Sequence, residues 1–529
     1  MYLPRSKWRW AAVMAAGLTA VATMPAGLAA TTTPAGLGAT TTPAGLANTT
    51  TPVVLAAASN ASAGPRIKLI VAQNYFTVPR FGKQVFVDPG IYVASLGSPL
   101  QFDVQRASYT KPLTITQVIY LPGGRQEVRP LPAWVVDGWN GVRRFVRLTV
   151  TNADGKIVGS SLLPFCPDEL SAQRTNPDSA VTSPFPQVSC SSDPFEQGMV
   201  LGIARGWGVD PYSGGGIGFG PGNIFNLRLG TYTATVNITR TWVRLLHIAK
   251  RDAVAHVRFT VVKGSGCSDI CPPHPGTAPG GTLPRLPSVP ELRNPPSSVL
   301  PDLVALPSWG ISVQHFSGPK GTPGNDQMQF GATVWIGGNS PLDVEGFRSH
   351  GSPVMPAYQY FWRNGRVIGR ARAGTMGFDG KKGHNHWHFQ QFAQYRLLNS
   401  TKSLVLRSQK VGFCIAPTDA VDLVLPHATW VPSFTGLGGA CGSPSALWVQ
   451  EMLPVGWGDT YFQSVAGQSF DITNLPNGTY YIEIIANPEK VLHESKYGND
   501  ISLRKVILGG RPGHRTVRVP AWHGIDPEG

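Results

Sequence analysis

The sequence predicts an all-β protein with two successive domains, and three observations carry that expectation. Short runs of β-branched and aromatic residues recur between turn residues along most of the 529 residues. No stretch sustains the 3.6-residue apolar period of an amphipathic helix. A Pro/Gly-rich segment near the middle separates two such strand-rich regions, each long enough to bury its own core.

The first thirty residues open with Arg5, Lys7 and Arg9, run through an apolar stretch from Ala11 to Met24, and end on Gly27, Ala29 and Ala30. This is the pattern of a secretory signal, 1–30. An uncleaved membrane anchor is the alternative, because the apolar run is nearly long enough to span a bilayer. No later segment offers such a run, so no transmembrane segment is expected once the signal is removed. Residues 31–64 repeat Thr-Thr-Thr-Pro-Ala-Gly-Leu from Thr31 and again from Thr40. That composition cannot bury a core and reads as a tether.

Residues 65–263 form the first domain, an antiparallel β-sandwich, with strand-like runs at 113–121, 145–151 and 257–262. Asn152-Ala-Asp154-Gly155 between two runs marks a hairpin. The glycine-rich stretch from Gly214 to Gly222 lacks the Gly-Lys-Ser/Thr ending of a phosphate loop and reads as a surface loop. Residues 264–299 are a linker. The second domain, 300–510, carries runs at 329–336, 358–362, 403–407, 480–486 and 501–508, with Asn364-Gly365 as a tight turn; 511–529 is a tail.

Export permits disulfides, and pairing within each region gives Cys166 with Cys190, Cys267 with Cys271, and Cys414 with Cys441. Cys267-x-x-x-Cys271 near His274 is also half of a metal knuckle, without a second ligand pair. The net charge of +15 is uneven: residues 301–529 hold 19 Lys+Arg against 16 Asp+Glu, so the basic excess lies upstream. Dispersed basic residues with no recognition motif argue against a nucleic-acid partner. An anionic cell envelope fits the front half better.

The strongest chemical signal is Gly383-His384-Asn-His386-Trp-His388-Phe. Alternate residues of a strand share a face, so His384, His386 and His388 point one way. In a flat strand the outer two Cα atoms would stand ~13 Å apart. An imidazole reaches a metal about 6 Å from its Cα, so the strand must curve toward the ion. Copper, zinc, iron and nickel all suit three imidazoles, with the affinity order favouring copper.

With that histidine segment, Lys410-Val-Gly-Phe413-Cys414, Gly456-Trp-Gly-Asp459-Thr-Tyr461 and Gln468-Ser-Phe-Asp471-Ile-Thr473 follow in order, then Gly478-Thr-Tyr480 and Asn487-Pro488. In these blocks, about residues 300 to 508, the chain resembles the lysyl oxidases, as a secreted member of the bacterial type. The resemblance implies a mainly-β catalytic domain with copper on the three histidines. It also implies a lysine tyrosylquinone built from Lys410 and Tyr461, and oxidation of primary amines or peptidyl lysine to aldehydes with release of ammonia and hydrogen peroxide. Asp459, two residues before Tyr461 and on the same strand face, is the candidate base. Alternatively it caps the turn after Gly456 and Gly458.

The resemblance further implies a calcium site from Asp302, the carbonyl of Leu303, Glu494, Asn499 and Asp500, all oxygen donors. Lys496 stands where relatives often carry a carboxylate. Gln394 replaces a histidine of the animal pattern, and only the Cys414–Cys441 bridge of the animal disulfides is expected, bracing the Lys410 segment. Two further readings stay open: a copper-binding or envelope-binding protein that never builds the quinone, and a zinc hydrolase, for which no further motif supplies base and cleft.

Overall fold

Alternation is the rule along the strands. In Val254–Lys263, Ala255, Val257, Phe259 and Val261 are buried while Val254, His256 and Arg258 face solvent. A period of two of this kind makes one apolar and one polar face, which is what a packed sheet requires. The computed structural model describes residues 64–528 apart from 168–171, 176–177, 181, 187–189, 191–192, 213–222, 265–288, 319–323, 348–351, 381–385, 432–440, 443–445, 464 and 466. The signal, the tether, the glycine-rich stretch and the Cys267/Cys271 pair therefore lie outside the described residues.

The all-β class holds. In the front region a seven-stranded sheet and two four-stranded sheets enclose one apolar core containing Phe102, Phe145, Trp242 and Phe259. The expected hairpin is present, Val142–Asn152 pairing with Ile157–Phe165. One pairing departs from the antiparallel expectation: Val254–Lys263 runs parallel to Tyr75–Phe81. The two strands lie far apart in sequence, so no tight turn imposes an antiparallel register on them. A short α-helix, Arg240–Leu245, buries Trp242 in this core.

The second region has three sheets around a core that includes Phe330, Trp387, Phe389, Phe413, Trp457 and Ile482 and also takes in Phe185, Val200 and Ala204 of the front region. Asn364 and Gly365 both have positive φ, 51° and 72°. They join Val354–Arg363 to Arg366–Asp379 as the Asn-Gly dipeptide predicts. Part of the expected linker belongs to this region: Leu292 and Val299 pack with Phe361 and Ala371 because they are apolar and have a face to cover. At the other end, His514–Arg518 pairs with Ile501–Arg511 and extends the sheet into the expected tail. No helix among the described residues is long and apolar enough to cross a membrane.

Candidate active site

Four segments of the second region are joined by backbone hydrogen bonds. The strand His386–Phe389 pairs with the end of Arg366–Asp379, setting His386 opposite Asp379 and His388 opposite Gly377. Its free edge is taken up by two loops. Phe389 and Phe413 exchange N–H···O=C bonds of 2.8 and 3.0 Å, and the N–H of Trp387 donates to the carbonyl of Cys441 at 2.9 Å. The Cys414–Cys441 disulfide, with Cα atoms 5.6 Å apart, ties those two loops together. The second expected bridge, Cys166–Cys190, also forms. Gly412 is needed for this closeness: a Cβ there would lie 2.8 Å from the Cβ of His388.

The Nε2 atoms of His386 and His388 stand 2.9 Å apart. Two imidazole nitrogens at right angles on one ion, each about 2.0–2.1 Å from it, would show about that separation. His388 is buried, and its Nδ1 lies 4.0 Å from the carboxylate of Asp379, the kind of partner that orients a ligating imidazole. His384 lies outside the described residues. Among those described, no three His, Cys, Asp or Glu side chains form a group that could hold a metal ion. The donor chemistry of the described pair fits copper as well as zinc.

Lys410 is only 6% exposed, although lysine is rarely buried. Its Nζ lies over the ring of Tyr461, 4.4 Å from the centroid, and 5.2 Å from that of Phe413. Tyr461 ends the strand Trp457–Tyr461, every residue of which is buried. Its oxygen is held from two sides by one residue: the Cys414 N–H donates to it at 2.8 Å, and the Tyr461 hydroxyl donates to the Cys414 carbonyl at 3.1 Å. Burial pushes the Tyr461 phenol well above its ordinary range, and the carboxylate of Asp459 adds to the shift.

Asp459 does share the face of Tyr461, and its Oδ2 is buried without a hydrogen-bond partner. Burial holds this carboxyl well above the usual carboxylate range; the nearby Lys410 ammonium and the Ala416 N–H draw it part of the way back. A second acid, Glu451, is fully buried in the same pocket. Its Oε2 accepts from the Ile415 N–H at 3.0 Å and its Oε1 has no partner. Burial raises this carboxyl too, opposed by the Ile415 N–H.

The sequence reading did not single out Glu451. The available signal was a charged residue in the apolar phase of an alternating strand, since Val449, Glu451 and Leu453 are the inward positions of Trp448–Leu453.

The oxygen donors expected to hold calcium also come together. Asn499 donates to Asp302 at 3.1 Å, the Leu303 N–H donates to Glu494 at 3.1 Å, and Asn487 donates to Glu494 at 2.6 Å. Lys496 places its Nζ 3.4 Å from Asp302. The cluster is a hydrogen-bonded network with Lys496 beside it, Leu303 engages it through its N–H, and Asn499 Oδ1 and Asp500 Oδ1 are buried without a partner. Burial pushes Glu494 up to about 8 and Asp500 up to about 6.

An all-β domain with paired histidines beside a buried lysine stacked on a buried tyrosine defines a candidate metal- and side-chain-derived redox centre. The lysyl oxidase family model matches residues 359–514, a span containing all of these groups. The chain is similar to lysyl oxidase homolog 4 of Mus musculus, 28% identical over 138 residues, and to lysyl oxidase homolog 2 of Gallus gallus, 26% identical over 140 residues. Each match covers 26% of this chain and 16% of the relative.

Proposed function

We propose that the protein is an exported, copper-dependent amine oxidase that converts primary amines, including peptidyl lysine ε-amines, to aldehydes. The net reaction is amine, dioxygen and water to aldehyde, ammonia and hydrogen peroxide. The observation that carries this reading is the Lys410 amine lying 4.4 Å over the Tyr461 ring in a buried pocket. Cation–π attraction there is worth only about 0.5–2 kcal/mol, less than the several kcal/mol that burying an ammonium costs, whereas a lysine that must bond to a tyrosine ring needs that position.

Copper on His384, His386 and His388 would serve oxidation of Tyr461, and the lysine tyrosylquinone formed from Tyr461 and Lys410 supplies a carbonyl electrophile and a two-electron sink. The remaining roles belong to ordinary side chains and backbone. Cys414 fixes the Tyr461 oxygen through its N–H and C=O. Phe413, whose ring meets Tyr461 edge-on at 5.2 Å, and Tyr395, itself 5.7 Å from Phe413, wall the pocket from water. Asp459 takes a proton from the substrate's α-carbon; its raised affinity for a proton suits a base that must also give one up. Export through residues 1–30 and contact of the basic front half with an anionic envelope belong to the same reading.

The test is maturation of the full chain with copper under air, followed by mass spectrometry and an assay of peroxide release over a panel of amines and lysyl peptides. A peptide linking 410 to 461, quinone absorbance and amine-dependent peroxide are the expected results. Stoichiometric copper without a cross-link or peroxide would favour the non-catalytic copper-binding alternative.

A further inference from the structure

The strand Trp457–Tyr461 has two faces, and only one of them looks into the pocket just described. Asp459 and Tyr461 occupy it. Gly458 and Thr460 occupy the other, by the alternation of a strand. Thr460 is paired in register with Thr333, and their hydroxyl oxygens are 2.8 Å apart. The Thr333 hydroxyl also donates to Oδ2 of Asp193 at 2.7 Å. Asp193 comes from the front region, 140 residues away in sequence, and is fully buried.

This contact is part of a built joint. The Gln197 and Gly198 N–H groups donate to the Val421 carbonyl at 2.8 and 3.0 Å, and the Leu423 N–H returns a bond to the Gly198 carbonyl at 2.9 Å. Gly198 has no room for a side chain, because a Cβ there would overlap the Asp422 carboxylate. Phe195 is buried among Leu306, Trp309, Trp335 and Val421 of the second region. Its N–H donates to Oδ1 of Asp193 at 2.9 Å, and its carbonyl accepts from Tyr109 at 2.9 Å. Trp522, from the far end of the chain, closes the joint against Tyr109 and Phe195 at 4.7 and 5.2 Å.

We infer that the front region is a structural part of the catalytic centre, and that Asp193 is a positioning residue which, through Thr333 and Thr460, fixes the strand carrying Asp459 and Tyr461. The inference rests on the proposed oxidase for its functional consequence. Its physical basis is independent of that reading: a buried carboxylate reaches across an apolar joint to satisfy hydroxyls that the second region leaves facing outward. Displacing Tyr461 by a fraction of an ångström from Lys410 would slow formation of the bond between them.

The experiment compares full-length Thr333→Val, which keeps the shape and deletes the hydroxyl, with Asp193→Ala, Asp193→Asn and, as a control on an exposed front-region side chain, Trp134→Ala. Each is loaded with copper, matched for bound metal, and sampled over time for the 410-to-461 cross-link; hydrogen exchange of the amides at 457–461 is measured on the apoproteins. Thr333→Val and Asp193→Ala are expected to slow cross-linking about tenfold or more at equal copper, and to speed exchange at 457–461. Asp193→Asn, which retains a hydrogen-bonding partner for Thr333, should restore most of the rate, and Trp134→Ala should match wild type. A purely structural role would lower melting temperature without changing the rate per folded, copper-loaded chain. Wild-type cross-linking rate in Thr333→Val and Asp193→Ala overturns the inference. If wild type itself forms no cross-link, the oxidase reading fails, and unchanged exchange in both variants then overturns the positioning role on its own terms.

Discussion

Two groups of buried acids lie within the second region, and they differ in where their countercharge sits. Around Lys410, Asp459 and Glu451 each keep one carboxylate oxygen without a partner in a pocket walled by Phe413 and Tyr395. Around Asp302, Asn487, Asn499 and the Leu303 N–H knit the acids together and a mostly exposed Lys496 supplies the countercharge, while Asp500 Oδ1 and Asn499 Oδ1 keep no partner. Unsatisfied buried oxygens cost stability, about 1–3 kcal/mol each. Both groups retain some, but the first holds its compensating ammonium buried over the Tyr461 ring and the second holds its own at the surface. That difference fits the reaction centre proposed for the first group and a loop-holding role, that of a brace, for the second.

The largest effect that would break this contrast is on Lys410. Lys410→Ala should abolish the cross-link and amine-dependent peroxide while bound copper is retained, because no ligand is touched; peroxide at wild-type rate would remove the redox role from the pocket. Asp459→Asn should come next, lowering kcat by about 10²–10⁴ for loss of a general base. Because the Asp459 carboxyl is held above its usual range, wild-type activity should rise with pH as it ionises, and the variant should lose that limb. An identical pH profile in the variant would assign the base elsewhere.

Smaller effects separate the two groups by stability. Burial raises the Glu451 carboxyl and so favours its neutral form, and Glu451→Gln should therefore fold nearly as well as wild type in urea melts, whereas Glu451→Ala, which strands the Ile415 N–H, should cost about 1–3 kcal/mol. In the brace, Glu494 is raised to about 8, chiefly by burial. The folded state therefore holds that proton more tightly than the unfolded chain. Its contribution is complete below the unfolded value of about 4.3 and is lost as pH rises to about 8. Glu494→Gln should flatten the fall in stability across that window; an unchanged slope would mean the proton is not held there.

The smallest effect concerns calcium. Lys496 is exposed enough that its ion pair with Asp302 is worth at most about 1 kcal/mol. Lys496→Ala should then leave stability almost unchanged without calcium and raise the melting temperature modestly when calcium is added. No response to calcium in either protein would leave the oxygen cluster as a brace alone.

Several parts of this picture were legible in the residues themselves. Alternation of apolar and polar positions specified strands, Asn364-Gly365 specified a tight turn, and His386 and His388 at a spacing of two had to share a face. Local rules suffice there because backbone geometry acts over two to four residues. The Cys414–Cys441 bridge was accessible for a related reason, since 27 residues separate the two thiols and few other partners lie near.

What only the tertiary structure decided depends on contacts between distant segments, for which sequence spacing carries no distance. The Lys410 amine meets Tyr461 because the Phe389–Phe413 bridge and the Cys414 clamp bring loop and strand together. Glu451 enters the same pocket from a third strand, and Asp193 supports it from another region altogether. The parallel pairing of Val254–Lys263 with Tyr75–Phe81 has the same origin. Sequence by itself established which strands and which chemistry-bearing residues the protein has; packing of apolar faces, which is non-directional and acts at any separation along the chain, decided which of those residues meet.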